Sequence, residues 1–149
     1  MPGQAAAQRK PYVQYAALPY RLDADGRAEV LLVTSRRTRR WILPKGWPIK
    51  GLKPAKAAAR EAYEEAGIIG DVANTPVGTF CYDKLFERTG ELASCTVEVF
   101  PLRVTQQLDV WPEAGQRRTQ WTRADALAEA IEDRGLLQVI EAALETIGD

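Results

Sequence analysis

Three glutamates, Glu61, Glu64 and Glu65, stand directly after a stretch that carries no acid at all. From Val30 to Arg60 the charged residues are Arg36, Arg37, Arg39, Arg40, Lys45, Lys50, Lys53, Lys56 and Arg60, nine of the chain's 20 bases. Segregated positive charge beside a tight carboxylate group suits a protein that holds a polyanion against a divalent cation, since hard ions take oxygen ligands and phosphates take cations. Histidine is absent. Imidazole bases, Ser/His/Asp triads, Cys/His dyads and zinc sites that need His are therefore excluded, leaving carboxylates, amines and hydroxyls to do any chemistry. Two cysteines cannot make a four-thiolate metal site, and Cys81 and Cys95 are expected to be small apolar fillers in a reducing compartment.

These residues need a scaffold, and the sequence outlines one. Tyr12 to Leu22 and Glu29 to Thr34 are apolar, β-prone runs separated by Asp23-Ala24-Asp25-Gly26, which spells strand, turn, strand. Trp41 to Leu43 is a third short strand stopped by Pro44 and Gly46, and a loop dense in Pro and Gly follows to Pro54. Pro54 suits a first helical turn, where its missing N–H has no partner to lose; Ala55 to Ala66 is strongly helix-forming, and Gly67 is a left-handed stop. At about 100° per residue, Glu64 and Glu65 fall within roughly 60° of Glu61, so the three carboxylates share one face. Ala55, Ala59, Ala62, Tyr63 and Ala66 occupy the opposite one, small enough to lie close against a sheet.

Further on, Val77 to Phe86 and Ser94 to Thr105 read as strands joined by a polar turn, and Arg117 to Thr122 as a last strand. Arg123 to Ile131 and Leu136 to Ile147 read as helices, the second amphipathic through Leu136, Val139, Ile140, Ala143, Leu144 and Ile147. Strands and helices mix without regular alternation, which favours an α/β sandwich over a doubly wound sheet. Residues 1–11 are expected to be a flexible tail and 12–149 one domain, a size at which a chain buries roughly 68–70% of its unfolded surface. The chain's 46% hydrophobic and 27% charged residues are those of a soluble globular protein. Its 20 bases balance 20 acids, and the first residues contain no long apolar run. A cytoplasmic protein is therefore expected, with neither a membrane nor a nucleic acid as partner.

Like-charge pairs at these helical spacings cost only a few tenths of a kcal/mol, so helix energetics cannot separate a metal site from a solvated face. The wider spacing does. Gly46, thirteen residues, Arg60-Glu61, two residues, Glu64-Glu65, one residue, Gly67 and Ile68 reproduce most of the pattern G-x5-E-x7-R-E-U-x-E-E-x-G-U. Six fixed positions matching at about 7% each have chance odds of about 10⁻⁵ over a chain of this length. The sequence thus resembles the Nudix hydrolases, with two departures: Leu52 stands where the pattern has its first glutamate, and Ala62 where a larger aliphatic is usual. Outside that box it is similar to the diphosphoinositol polyphosphate and diadenosine polyphosphate phosphohydrolases, through Glu29 to Val33, the Arg-rich turn ending Arg40-Trp41-Ile42, Gly78-Thr79-Phe80, and Trp111-Pro112-Glu113 followed by Arg117-Arg118 and Trp121.

The resemblance implies an α+β fold, an α/β/α sandwich around a mixed sheet, and Mg²⁺-dependent cleavage of a diphosphate linkage, with Mn²⁺ as an alternative ion. It makes Glu61, Glu65 and the backbone carbonyl of Lys45 metal ligands, Glu64 the catalytic carboxylate, and Arg60 the residue that fixes the glutamates. Arg36, Arg37, Arg40, Arg117 and the Lys45 side chain would hold phosphates, and so many cations imply a polyphosphorylated small molecule. Glu98 and Glu113 are candidate accessory ligands, and Tyr82 lies near where dinucleoside polyphosphate hydrolases carry a tyrosine. Trp41, Trp47 and Trp121 are read as core or loop packing. Two alternatives stand beside this reading: an RNA 5′-pyrophosphohydrolase, for which the basic window lacks interleaved aromatics, and a catalytically silent nucleotide sensor, for which Leu52 would be a first sign of decay.

Overall fold

The computed structural model describes residues 12–147, so the expected tail over 1–11 lies outside the described residues. Its elements are β1 (Tyr12–Leu22), β2 (Ala28–Thr34), β3 (Trp41–Ile42), β4 (Lys45–Gly46), α1 (Pro54–Ala66), β5 (Ile68–Val72), β6 (Gly78–Phe86), β7 (Glu91–Gln107) and β8 (Thr119–Arg123). A 3₁₀ turn at Ala124–Ala126, α2 (Leu127–Ala130) and α3 (Arg134–Ile147) close the chain. The strands run β3-β2-β1-β7-β5, with β4 on β1, β6 on β7 and β8 on β2. Among the described residues only β1 and β7 pair in parallel, so the sheet is mixed as expected. Pro19, which cannot donate to a ladder, falls where one edge of β1 changes partner from β4 at Ala16 to β2 at Tyr20.

Each face of the sheet carries a helix. Leu136, Leu137, Ile140 and Ala143 of α3 pack on Leu18, Val30, Leu32, Phe80, Val97 and Val99. On the other face Ala55, Ala58, Ala62 and Ala66 of α1 meet Ala17, Leu31, Val33, Phe100 and Leu102. An alanine seam lets α1 approach the strands closely, and that proximity sets the height of the glutamates beside it.

Several boundaries depart from the sequence pattern. The segment expected as one helix over Arg123–Ile131 begins as the last residue of β8 and continues as a 3₁₀ turn before four helical residues. Arg117 and Arg118 precede β8 rather than belonging to it. Strand β5 starts immediately after Gly67; Ile-Ile-Gly-Asp-Val is too short to show alternation, and its pairing with β7 is what makes it a strand. The buried face of α1 is also rotated from expectation. Tyr63 is exposed and Glu65 is buried, so the three glutamates do not share one environment.

Gly67 ends α1 at φ +68°, donating its N–H to the Tyr63 carbonyl at 3.0 Å. A Cβ on Gly67 would lie 2.6 Å from Cε3 of Trp111. Gly67→Ala is therefore expected to cost at least about 1–2 kcal/mol from the left-handed backbone alone, with Trp111 displaced in addition, measurable as a lowered denaturation midpoint.

Candidate functional site

The three glutamates of α1 sit at graded depths. Glu65 is 3% exposed, Glu61 half-buried, and the Glu64 side chain 36% exposed. Burial pushes the Glu65 carboxyl up to about 8, against the lowering influence of the Arg117 guanidinium and with the help of Glu61 and Glu113. Glu61 is raised too, by burial first and then by the charges of Glu64 and Glu113. The two carboxyl groups are close enough that each influences the ionisation of the other. Gly46 makes room for the pair. A Cβ there would collide with the Glu61 carboxyl, so the glycine lets that carboxyl lie against the β4 backbone without turning aside.

The loop from Leu108 to Gln116 locks the C-terminal end of α1. Leu108 N–H donates to the Gly67 carbonyl at 2.8 Å, Trp111 Nε1 to the Glu65 carbonyl at 3.1 Å, and Glu113 N–H to the Glu64 carbonyl at 3.0 Å. Carbonyls that a helix end leaves without partners are thereby satisfied by one segment. The same loop delivers Arg117, whose side chain is 10% exposed. Its Nε donates to Glu113 Oε1 at 2.9 Å and its Nη1 to the Thr34 carbonyl at 3.1 Å, and Nη1 lies 3.7 Å from Glu65 Oε1. Arg117, expected to hold phosphate, is thus engaged with the carboxylates, although it also lines the neighbouring cavity.

That cavity, of about 940 Å³, brings together Glu65, Lys45, Arg36, Arg37 and Arg40 from the sequence reading. Arg36 donates to Gln116 Oε1 at 3.0 Å, while Arg37 and Arg40 make loose, exposed pairs with Glu87 and Glu132. Arg39 is absent from the lining and adopts φ +58°, consistent with a turn residue. Lys45 Nζ donates to the Tyr82 hydroxyl at 3.1 Å, which itself donates to Gln14 Oε1 at 2.6 Å. Burial, with Lys84 adding to it, draws the Lys45 amine down to about 8. Gln14 and Lys84 escaped the sequence reading because a strand residue 31 positions before Lys45 carries no local signal of its role.

Other expectations divide. Arg60 reaches Glu64 at 4.0 Å on the solvent side of α1. Leu52 lies outside the large cavity, in a shallow groove of about 520 Å³ with Lys56, Arg60 and Tyr63. Glu113 joins the carboxylate group through Arg117, whereas Glu98 lies in the register row of Gly46 but two strands over, on the far side of Tyr15. Cys95 is buried as expected, but Cys81 is exposed beside Thr96 on an edge strand and fills nothing. Trp41 and Trp121 pack on the two cores; Trp47 is 38% exposed.

A mixed sheet between helices, with the buried Glu65 carboxyl on the wall of a cation-lined cavity, suits phosphate chemistry, although Glu61 and Glu64 lie outside that lining. Residues 13–141 match the NUDIX domain family. The chain is 31% identical over 137 residues to Nudix hydrolase 17, mitochondrial, of Arabidopsis thaliana, covering 87% of this chain and 72% of that protein. It is 37% identical over 116 residues to diphosphoinositol polyphosphate phosphohydrolase 3-alpha of Mus musculus, covering 75% and 65%. Among solved structures, a C. elegans Ap4A hydrolase binary complex matches with TM-score 0.70 at 20% identity over 91% of this chain and 97% of that one. The NUDIX domain of Shewanella oneidensis NrtR complexed with ADP ribose matches with TM-score 0.72 at 16% identity over 95% and 92%. The chain belongs to the Nudix family and is a hydrolase acting on phosphoanhydride substrates. No helix among the described residues is long and apolar enough to cross a membrane.

Nudix hydrolases use divalent metal ions, and the residues present fit one. No group of three His, Cys, Asp or Glu side chains stands ready among the described residues. Glu61, packed against the Gly46 backbone, and Glu65, one helical turn on, nevertheless offer carboxyl oxygens whose raised values favour the proton-bound form, and a hard cation can take the place of those protons. Two outcomes are expected. Gly46→Ala displaces Glu61 and weakens metal binding, read by calorimetry, while the fold is retained. Because Glu65 titrates near 8 in the folded protein against 4.5 unfolded, its stabilising contribution in chelator is complete below about pH 4.5 and lost as pH rises toward 8. Lys45 keeps its charge through most of that window and begins to lose it in the folded state only on approaching its own value of about 8. Thermal melts in EDTA should therefore fall from pH 5 to 8, and saturating Mg²⁺ should offset the fall.

Proposed function

We propose that the protein cleaves a diphosphate linkage in a polyphosphorylated small molecule, a dinucleoside polyphosphate or a diphosphoinositol polyphosphate, with Mg²⁺ as cofactor and Mn²⁺ as a substitute. The observation that carries this reading is the placement of buried Glu65, with Lys45, at one end of a cavity whose walls also supply Arg36, Arg37 and Arg40. Three guanidinium groups and an ammonium exceed what one diphosphate requires, and guanidinium forks match phosphate oxygens.

In this proposal Glu61, Glu65 and the Lys45 carbonyl hold the ion, which when bound supplies charge neutralisation at the phosphates and activation of the attacking water. Glu64, accessible to solvent and next in the same face, orients that water or takes its proton. Arg60 steadies Glu64 from the outer side of α1. Arg36, Arg37 and Arg40 line the phosphate path, and their solvent-exposed partners Glu87 and Glu132 can be displaced at small energetic cost. Arg117 acts on the carboxylates and borders the same path. The proposal sets this chemistry in the cytoplasm, in keeping with two free thiols.

The test is release of phosphate or nucleotide from a panel of diadenosine polyphosphates, diphosphoinositol phosphates, ADP-ribose and 5′-triphosphorylated RNA, with and without Mg²⁺. Turnover that disappears in EDTA supports the reading; turnover of none of them overturns it in favour of a silent sensor. Glu64→Gln and Glu65→Gln are each expected to lower turnover by at least about 100-fold with the fold intact, and an unchanged rate in either removes its assigned role. Leu52→Glu is expected to change activity less than tenfold, because Glu61, Glu64 and Glu65 are all present without it and residue 52 lies in a separate groove.

A further inference from the structure

The cavity does not end in cations. Along β6, Phe80, Tyr82, Lys84 and Phe86 alternate on one face and all border it. Tyr82 meets Lys45 at the carboxylate end, and Phe86 lies four residues further, about 13 Å along the strand. There three separate segments bring aromatic rings together. Trp47, from the loop after β4, stacks on Phe86 with centroids 6.1 Å apart and 24° between planes. Tyr12, at the start of β1, completes the group at 5.1 Å from Phe86 and 6.0 Å from Trp47. Lys84 Nζ stands over both Trp47 and Phe86, at 5.9 and 5.8 Å. Trp47 is 38% and Tyr12 42% exposed, so the rings are open to solvent although they contact one another.

Of this group Phe86 and Lys84 border the cavity, and Trp47 and Tyr12 extend it outward from Phe86. Exposed aromatics that continue a phosphate path, with an ammonium beside them, have the composition of a nucleotide-binding surface: a π-face for a planar base and a cation for the phosphate attached to it. An inositol ring is saturated and offers no π-face to stack. Resting on the diphosphate-cleaving reading above, we infer that Tyr12, Trp47 and Phe86 seat a nucleobase at the end of the substrate remote from the carboxylates, with Lys84 on its adjoining phosphate. The site thereby selects dinucleoside polyphosphates over diphosphoinositol polyphosphates. Trp47 is a binding residue in this view, not a packing one.

Steady-state kinetics on diadenosine tetraphosphate, a diphosphoinositol polyphosphate and a 5′-triphosphorylated RNA oligonucleotide test it, using the intact chain and the variants Trp47→Ala and Trp47→Phe. The expected result is that the wild type prefers diadenosine tetraphosphate, that Trp47→Ala lowers kcat/KM for it about tenfold or more through KM, and that Trp47→Phe restores most of the loss. Turnover of the diphosphoinositol compound stays within twofold in both variants. A preference for the diphosphoinositol compound or the RNA overturns the inference and leaves diphosphate cleavage standing. So does an equal loss on all substrates, which would mark Trp47 as structural, or no loss on any. If the wild type turns over none of the three, the inference and the reading beneath it both fall.

Discussion

Glu65 is a carboxylate carried into the protein on a helix face otherwise made of alanines, and most of the site is arranged around the consequences. A buried charge is expensive unless it is paired and hydrogen-bonded. Its compensation arrives from Arg117, 52 positions later in the chain, and burial favours its protonated form. Arg117 is itself held by Glu113 and the Thr34 carbonyl. The carboxylate therefore stays where it is because a distant segment, the loop after β7, is fixed to the end of α1.

That loop serves two needs with one set of contacts. Helix α1 ends in carbonyls without helical partners, and the N–H groups of Leu108, Trp111 and Glu113 satisfy those of Gly67, Glu65 and Glu64. Trp111 covers Gly67, where a side chain would collide with the indole. Capping and charge compensation are thus supplied together. At the other end of the same carboxylate group, Gly46 removes a Cβ so that strand backbone reaches Glu61.

Charge balance over the whole chain conceals a local separation. With 20 bases and 20 acids the protein is neutral, yet Arg36, Arg37, Arg40 and Lys45 face one cavity. Their environments differ in a way that matters for binding. Lys45 is half-buried, fixed to Tyr82 and drawn down in basicity by lost hydration, whereas the arginines sit at the solvent side, Arg37 and Arg40 with exposed acidic partners and Arg36 with Gln116. A fixed donor near the carboxylates and movable ones further out suit a substrate whose reacting phosphate must be placed and whose remainder must only be retained.

The sequence by itself determined the family-level chemistry, because Gly46, Arg60, Glu61, Glu64, Glu65 and Gly67 follow a spacing that only a loop and helix in that order can satisfy, and Pro54 and Gly67 mark the helix ends locally. The main strands were legible for the same reason, as alternation and turn residues are local signals. Tertiary structure alone decided the rest. Whether Glu65 or Tyr63 faced inward depended on a rotation of α1 set by its alanine seam, not by its average pattern. Strand β5 exists through its pairing with β7. Gln14, Tyr82 and Lys45 become a hydrogen-bonded chain, and Tyr12, Trp47 and Phe86 a cluster, only when the sheet brings β1, β4 and β6 together. Contacts between residues far apart in sequence leave no periodicity behind, so they become visible only once the sheet has brought their strands together.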